Sequence, residues 1–156
     1  AATRDPLVPN EQYDISPSYY IYGGVVFSPL SKNLLRMWGP NWFANAPNEL
    51  MAFLSDNVPE VEGEQVVLAL KVLAADVNQG YHGLSNWVVE TVDGQRIRTM
   101  RELIAAVEKG AGNEFITFGD GSGQVLVLDR KKAEASTTDI LNTYRIAADR
   151  SPDFKP

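Results

Sequence analysis

The chain contains no cysteine and only one histidine. Without cysteine there is no disulfide, no thiolate nucleophile and no Cys-ligated zinc. With His82 as the sole imidazole, the two-histidine metal motifs are excluded, and acidic pairs at ligand spacing are not evident. Basic side chains are in deficit: 14 Lys and Arg stand against 20 Asp and Glu, a net charge of −6. That balance argues against nucleic acid, which calls for clustered cations, and against an anionic membrane surface. Long apolar runs are missing as well. The longest, VVLALKVLAA (66–75), contains Lys71 and falls far short of a membrane span. The opening AATRDPLVPNEQYDISP lacks the charged-then-apolar order of a signal peptide. It reads as a polar, proline-containing linker, as if cut from something longer.

What is present is ordinary globular chemistry. Apolar residues make up 44% of 156 residues, which suits one domain with a sizeable core. YYIYGGVVFSPL (19–30) is aromatic and β-branched and reads as a loop followed by a strand to about Ser28. SKNLLRMWG (31–39) and APNELMAFLSDN (46–57) have helical spacing, the first with Ser31 as N-cap and the second with Pro47 near its start. EQVVLALKVLA (64–74) predicts a strand buried on both faces, and DVNQGYHGL (76–84) a turn or short helix. WVVETVDGQRI (87–97) places Asp-Gly between β-rich arms, the strongest short hairpin signal. In TMRELIAAVEKG, Thr99 and Glu102 form a capping box, while Met100, Leu103, Ile104 and Val107 recur at i, i+3, i+4 and i+7. Gly110 is the expected stop. EFITFGDGSGQVLVLD (114–129) predicts two alternating strands about a glycine-rich turn, and TTDILNTYRI (137–146) a last helix capped by Thr137 or Thr138. The sum is an α+β domain of five or six short strands with helices against them.

Few segments invite chemistry. GDGSGQ (119–124) resembles the run around a trypsin-like nucleophile, but its order is wrong and Ser122 falls where a hairpin tip belongs. His82, in GYHGL, is a general base only if something nearby needs one; the plainer reading is a structural or exposed ring. Glu60, Glu62 and Glu64 alternate, yet the spacing of a calcium loop is missing, so they read as a solvated approach to a strand. The glycines of YGGVV precede a strand rather than a helix, so no helix N-terminus awaits a phosphate. Trp38, Trp42 and Phe43 form either a satellite cluster over the core or a contact surface. No cofactor and no metal is implied.

Gly23 and Gly24 pose the sharper question. They serve as a turn or bulge, or they turn successive backbone N–H groups one way to make a nest for a carboxylate. In the second case the following strand, if its edge is free beside the 99–109 helix, pairs with an added peptide.

YYIYGGVVFSPLS, VVLALKVLAADVNQGY, VETVDGQRIRTMRELIAAVEKG and GQVLVLDRKKAEASTTDILNTYRI together resemble the C-terminal PDZ-type domain of Deg/HtrA-family serine proteases, in the branch with plant Deg proteases and their bacterial relatives. The likeness runs from about residue 17 to 147, with 1–16 as a linker and 148–156 as a tail. It implies a PDZ-like, partly open β-barrel or sandwich with a capped groove helix and an inserted helical segment at 31–57. It implies a carboxylate-binding loop at Ile21, Tyr22, Gly23 and Gly24, and a peptide-pairing strand through Val25, Val26 and Phe27. Met100, Ile104 and Glu108 match ligand-facing positions, with an apolar pocket suited to a hydrophobic C-terminal residue. The implied role is a non-catalytic accessory domain that binds C-terminal or extended peptide segments, or other subunits of the parent protease. A structural oligomerisation domain, its groove closed by 31–57 or by a neighbouring subunit, is the alternative. Exported proteases of this kind point to the bacterial periplasm. A stand-alone enzyme has too poor an acid–base inventory.

Overall fold

The computed structural model describes residues 18–30, 64–110 and 112–155. The expected helices at 31–39 and 46–57, Glu60, Glu62 and the group Trp38, Trp42 and Phe43 lie outside the described residues.

Among the described residues, two antiparallel sheets of four strands face each other, with two α-helices. The first sheet has the order β1 (Tyr20–Tyr22), β2 (Val25–Pro29), β3 (Val67–Val72), β4 (Ser85–Val89). The second has the order β6 (Gln95–Arg96), β5 (Thr91–Val92), β7 (Phe115–Gly119), β8 (Val125–Asp129). Neither sheet closes into a barrel. The α+β class is as expected. The strands outnumber the five or six anticipated because β1, β5 and β6 are only two or three residues long, too short to show an alternation.

Each sheet owes a corner to a two-residue turn. Tyr22 pairs with Val25, so Gly23 (φ 57°) and Gly24 (φ 86°) alone connect β1 to β2. Val92 pairs with Gln95 across Asp93 (φ 50°) and Gly94 (φ 81°). Positive φ at both central positions is the signature of the hairpin turn whose twist matches the strands it joins. The local reading of the two glycines as a turn therefore holds, but the loop ahead of them is itself a strand.

Helix α1 (Met100–Lys109) starts at the expected cap: Thr99 Oγ1 accepts from Glu102 N at 3.0 Å, but the Glu102 carboxylate reaches one residue past the N-cap and accepts from Arg98 N at 2.6 Å rather than from Thr99 N. Its buried face is Met100, Leu103, Ile104 and Val107. Gly110 ends it with φ −88°, an ordinary value, so its lack of a side chain serves another end. A Cβ there would collide with the Arg130 guanidinium. Helix α2 (Arg130–Thr143) begins earlier than expected. Its cap is Asp129, whose carboxylate accepts from Lys132 N at 3.0 Å, and not Thr137 or Thr138. The β8 pattern hides this start because its alternation runs directly into the helix. Thr137 instead bonds back to Ala133 O within the helix.

The main core lies between the sheets and under α1. Phe27 and Phe118, both fully buried, meet there with ring centroids 4.9 Å apart, and Tyr20 stacks on Phe27 at 6.4 Å. A smaller cluster of Ile21, Val26, Leu73 and Ile140 fills the other face of the first sheet beneath α2. The β1–β2 hairpin thus contributes alternate residues to two cores, as strand alternation dictates. Burying its apolar side chains is worth about 1.5–3 kcal/mol each.

Candidate functional site

The site is the strip between β1 and α1. It depends first on how the hairpin tip is held. Asn78, fully buried in a 3₁₀ turn at Asp76–Asn78, donates from Nδ2 to Gly23 O (2.8 Å) and Leu73 O (2.9 Å) and accepts at Oδ1 from Ala75 N (2.9 Å). Leu73 N in turn donates to Gly24 O at 2.7 Å. One amide therefore satisfies three backbone groups that burial would otherwise strand. The side positions of both glycines are also filled. A Cβ on Gly23 would meet Leu128 and Ala133, and one on Gly24 would meet Asn78 and the Leu73 carbonyl.

The C-terminal end of α1 is tied to the second sheet by Arg130, the first residue of α2. Its guanidinium is buried and donates to Val107 O (2.7 Å), Phe115 O (3.3 Å) and Asp93 Oδ2 (2.9 Å). A buried guanidinium is tolerable only when its donors are met in this way. The side chain joins α1, β7 and the β5–β6 turn.

Strand edges are where a further backbone can add to a sheet. β2 lies between β1 and β3 and has both edges paired. The condition of a free β2 edge is not met: β1 occupies it. The outer edge belongs to β1, and the chain's own residues 149–151 lie along it. Ile21 N donates to Asp149 O (2.7 Å) and Ser151 N to Tyr19 O (3.0 Å), which sets Tyr20 opposite Arg150 as an antiparallel bridge. Ser151 is buried, and its hydroxyl accepts from Tyr19 N at 3.0 Å. Arg150 spans the strip. Its Nη1 lies 3.1 Å from Glu108 Oε1 on α1, its Nε and Nη2 fork onto Asp149, and its guanidinium carbon sits 5.0 Å from the centre of the Tyr20 ring. The bond to Asp149 raises the Arg150 pKa further above its already high value, and the Glu108 bond adds to this against the opposing effect of burial. Burial also pushes the Tyr20 hydroxyl up, with Arg150 working against it.

The residues singled out from sequence fall as follows. Ile21, Tyr22, Val25, Val26 and Phe27 are buried, and Gly23 and Gly24 form the buried hairpin tip. Met100 has no exposed surface, so it opens onto no pocket in this state. Ile104 and Glu108 line a cavity of about 250 Å³ with Arg101, Arg150 and Phe154. Ser122 is a hairpin-tip residue whose hydroxyl donates to Asp120 at 2.8 Å. His82 is exposed, its ring 3.3 Å from Ala75 O. Asn78, Arg130 and Arg150 escaped the sequence reading. Each has a decisive contact distant along the chain; the local ones are Arg150 with Asp149 and Asn78 with Ala75 and Leu73.

Comparison with known proteins gives a family. Residues 8–153 match the model of a PDZ domain. The chain is 34% identical to a putative protease Do-like 3, mitochondrial, of Arabidopsis thaliana, covering 97% of this chain and 25% of that protein. It is 33% identical to protease Do-like 4, mitochondrial (96% of this chain, 26% of that one) and 31% identical to protease Do-like 2, chloroplastic (97% and 24%), both from the same plant. The chain spans about a quarter of the length of these curated relatives.

Proposed function

The chain belongs to the PDZ domain family, a non-catalytic protein-interaction module, and on that premise we propose that it regulates or assembles a Deg/HtrA-type serine protease by binding extended peptide segments. Its similarity to Do-like proteases supports the parent enzyme. One observation carries the binding mode: the outer edge of β1, beside α1, takes an extended backbone as an added strand at Ile21–Asp149 and Tyr19–Ser151. Main-chain bonds of this kind give affinity, and side-chain pockets along the helix give selectivity. Ile104 and Glu108 supply one apolar and one anionic contact on that side. The tip at Tyr22, Gly23 and Gly24 remains the candidate for holding a terminal carboxylate.

The same observation favours a second reading. An edge already filled by residues 149–151 suits an assembly domain with an occluded groove. A titration with a C-terminal peptide library, followed by NMR, decides between them. Shifts at Ile21, Tyr22, Gly23 and Ile104 that vanish when the peptide carboxylate is amidated establish carboxylate-anchored binding. Shifts that survive amidation establish binding along the edge alone. A folded chain that responds to no peptide establishes the occluded domain.

A further inference from the structure

Residues 149–155 contact the strip in the way a bound segment would. Their backbone pairs with β1, and Arg150 projects toward α1 to reach Glu108. Farther on, Arg101 of α1 donates from Nη2 to Asp153 O at 2.7 Å, and its guanidinium lies 5.6 Å from the centre of the Phe154 ring. Phe154 is only partly buried against the core, and Glu108 is well exposed. The attachment is thus specific in pattern: Ser151 is buried against β1, while the contacts to α1 through Glu108 and Phe154 lie at the surface.

Its direction is informative. β1 runs toward the glycine turn, and the bridge is antiparallel, so the segment runs away from the turn. The end beside the turn is not a terminus: Asp149 follows Ala148, whose carbonyl accepts from the Tyr19 hydroxyl at 3.0 Å. A segment bound this way needs no free carboxylate at the tip.

We propose that residues 149–155 are a tethered occupant of the strip, and that its external partner is an extended internal segment of the same chemistry. That segment carries a cation to sit between Tyr20 and Glu108 and an aromatic ring four residues later to sit against Arg101, as Arg150 and Phe154 do. It runs antiparallel to β1. This inference rests on the peptide-binding reading above. Because the occupant is tethered, it competes at a high effective concentration, and an external segment binds well only once the tail is loosened.

The test uses a labelled peptide of sequence Asp-Arg-Ser-Pro-Asp-Phe-Lys, blocked at both ends, titrated against the full chain and its Phe154→Ala variant, with hydrogen exchange at the Ile21 amide reporting tail release. We expect at least tenfold tighter binding to the variant than to the parent, shifts at Tyr19 and Ile21, and loss of binding when the peptide arginine is replaced by glutamate. Ser151→Pro provides a second variant should the first not fold, because it removes the N–H donated to Tyr19 at a position with φ −68°, which suits proline. Equal affinity for the parent and a tail-released variant overturns the tethered occupant. If a tail-released variant ignores this peptide but binds members of the C-terminal library, the ligand chemistry is overturned and the peptide-binding reading stands. If it binds neither, both fall.

Discussion

The side chain of Asn78 donates to the carbonyl of Gly23, 55 residues earlier in the chain, at 2.8 Å. Through this bond and its companion to Leu73, the tip of the β1–β2 hairpin is fixed to the end of β3, and β1 is fixed in turn beside α1. Replacing Asn78 with alanine leaves buried carbonyls unpaired. It should destabilise the fold by about 2–6 kcal/mol, at about 1–3 kcal/mol for each of the two stranded carbonyls. Urea unfolding midpoints compared at constant slope measure this. A loss below half a kcal/mol would mean that water takes over the role of the amide.

The two glycines should not respond alike to alanine. Both have positive φ, a strain of about 1–2 kcal/mol for any L side chain. At Gly23 the new methyl presses hardest on the movable δ-methyl of Leu128, with the Ala133 Cβ a looser neighbour, whereas at Gly24 it meets the Leu73 backbone carbonyl. Gly24→Ala should therefore cost more than Gly23→Ala, by at least about 1 kcal/mol if overpacking follows its usual range. Thermal unfolding of the two variants side by side checks the order.

Arg130→Lys should be poorly tolerated although it keeps the charge. A lysine ammonium cannot span Val107 O, Phe115 O and Asp93 together. A loss of about 2–4 kcal/mol is expected, and Arg130→Ala should lose more, since partial removal of buried pairs costs about 3–5 kcal/mol. Because Arg130 packs into the space beside Gly110, Gly110→Ala should reproduce part of the effect. Denaturant midpoints of the three variants test the ranking.

Asp120 should contribute a small acid-sensitive part of the stability. Slight burial works to raise its pKa, but bonds from the Ser122 hydroxyl and amide, Trp87 Nε1 and Gln124 N outweigh it and hold the carboxyl below its usual value. A depressed folded-state pKa means stability that is full above the unfolded value and lost as pH falls through the folded one. The group is largely solvated, so the effect should stay below about 1 kcal/mol. The gap in stability between the parent and Asp120→Asn should be present at neutral pH and shrink below the ordinary carboxylate range. A gap that stays constant down to strong acid would remove the carboxylate from the account.

Local signals gave the Asp93-Gly94 hairpin, the turn at Gly23-Gly24 and α1 correctly because their causes are local. Asp93-Gly94 and Gly23-Gly24 accept the positive φ that a two-residue turn demands, and Thr99 satisfies the Glu102 amide in the first turn of α1 from three residues away. The start of α2 was misplaced because Asp129 closes a strand and caps a helix at once.

Residue pattern alone carried the class of fold and its family resemblance, and it narrowed Gly23 and Gly24 to a turn, a bulge or a nest, since turn chemistry, capping and apolar periodicity act between near neighbours. Which edge faces α1 was decided only by the tertiary structure. The residues 19–22 that read as a loop became β1 and took the edge of β2, and residues 149–151, far away in the chain, took the edge of β1. Backbone N–H and C=O groups pair with whatever strand the packing brings alongside, and no side-chain pattern in either segment records the identity of that partner.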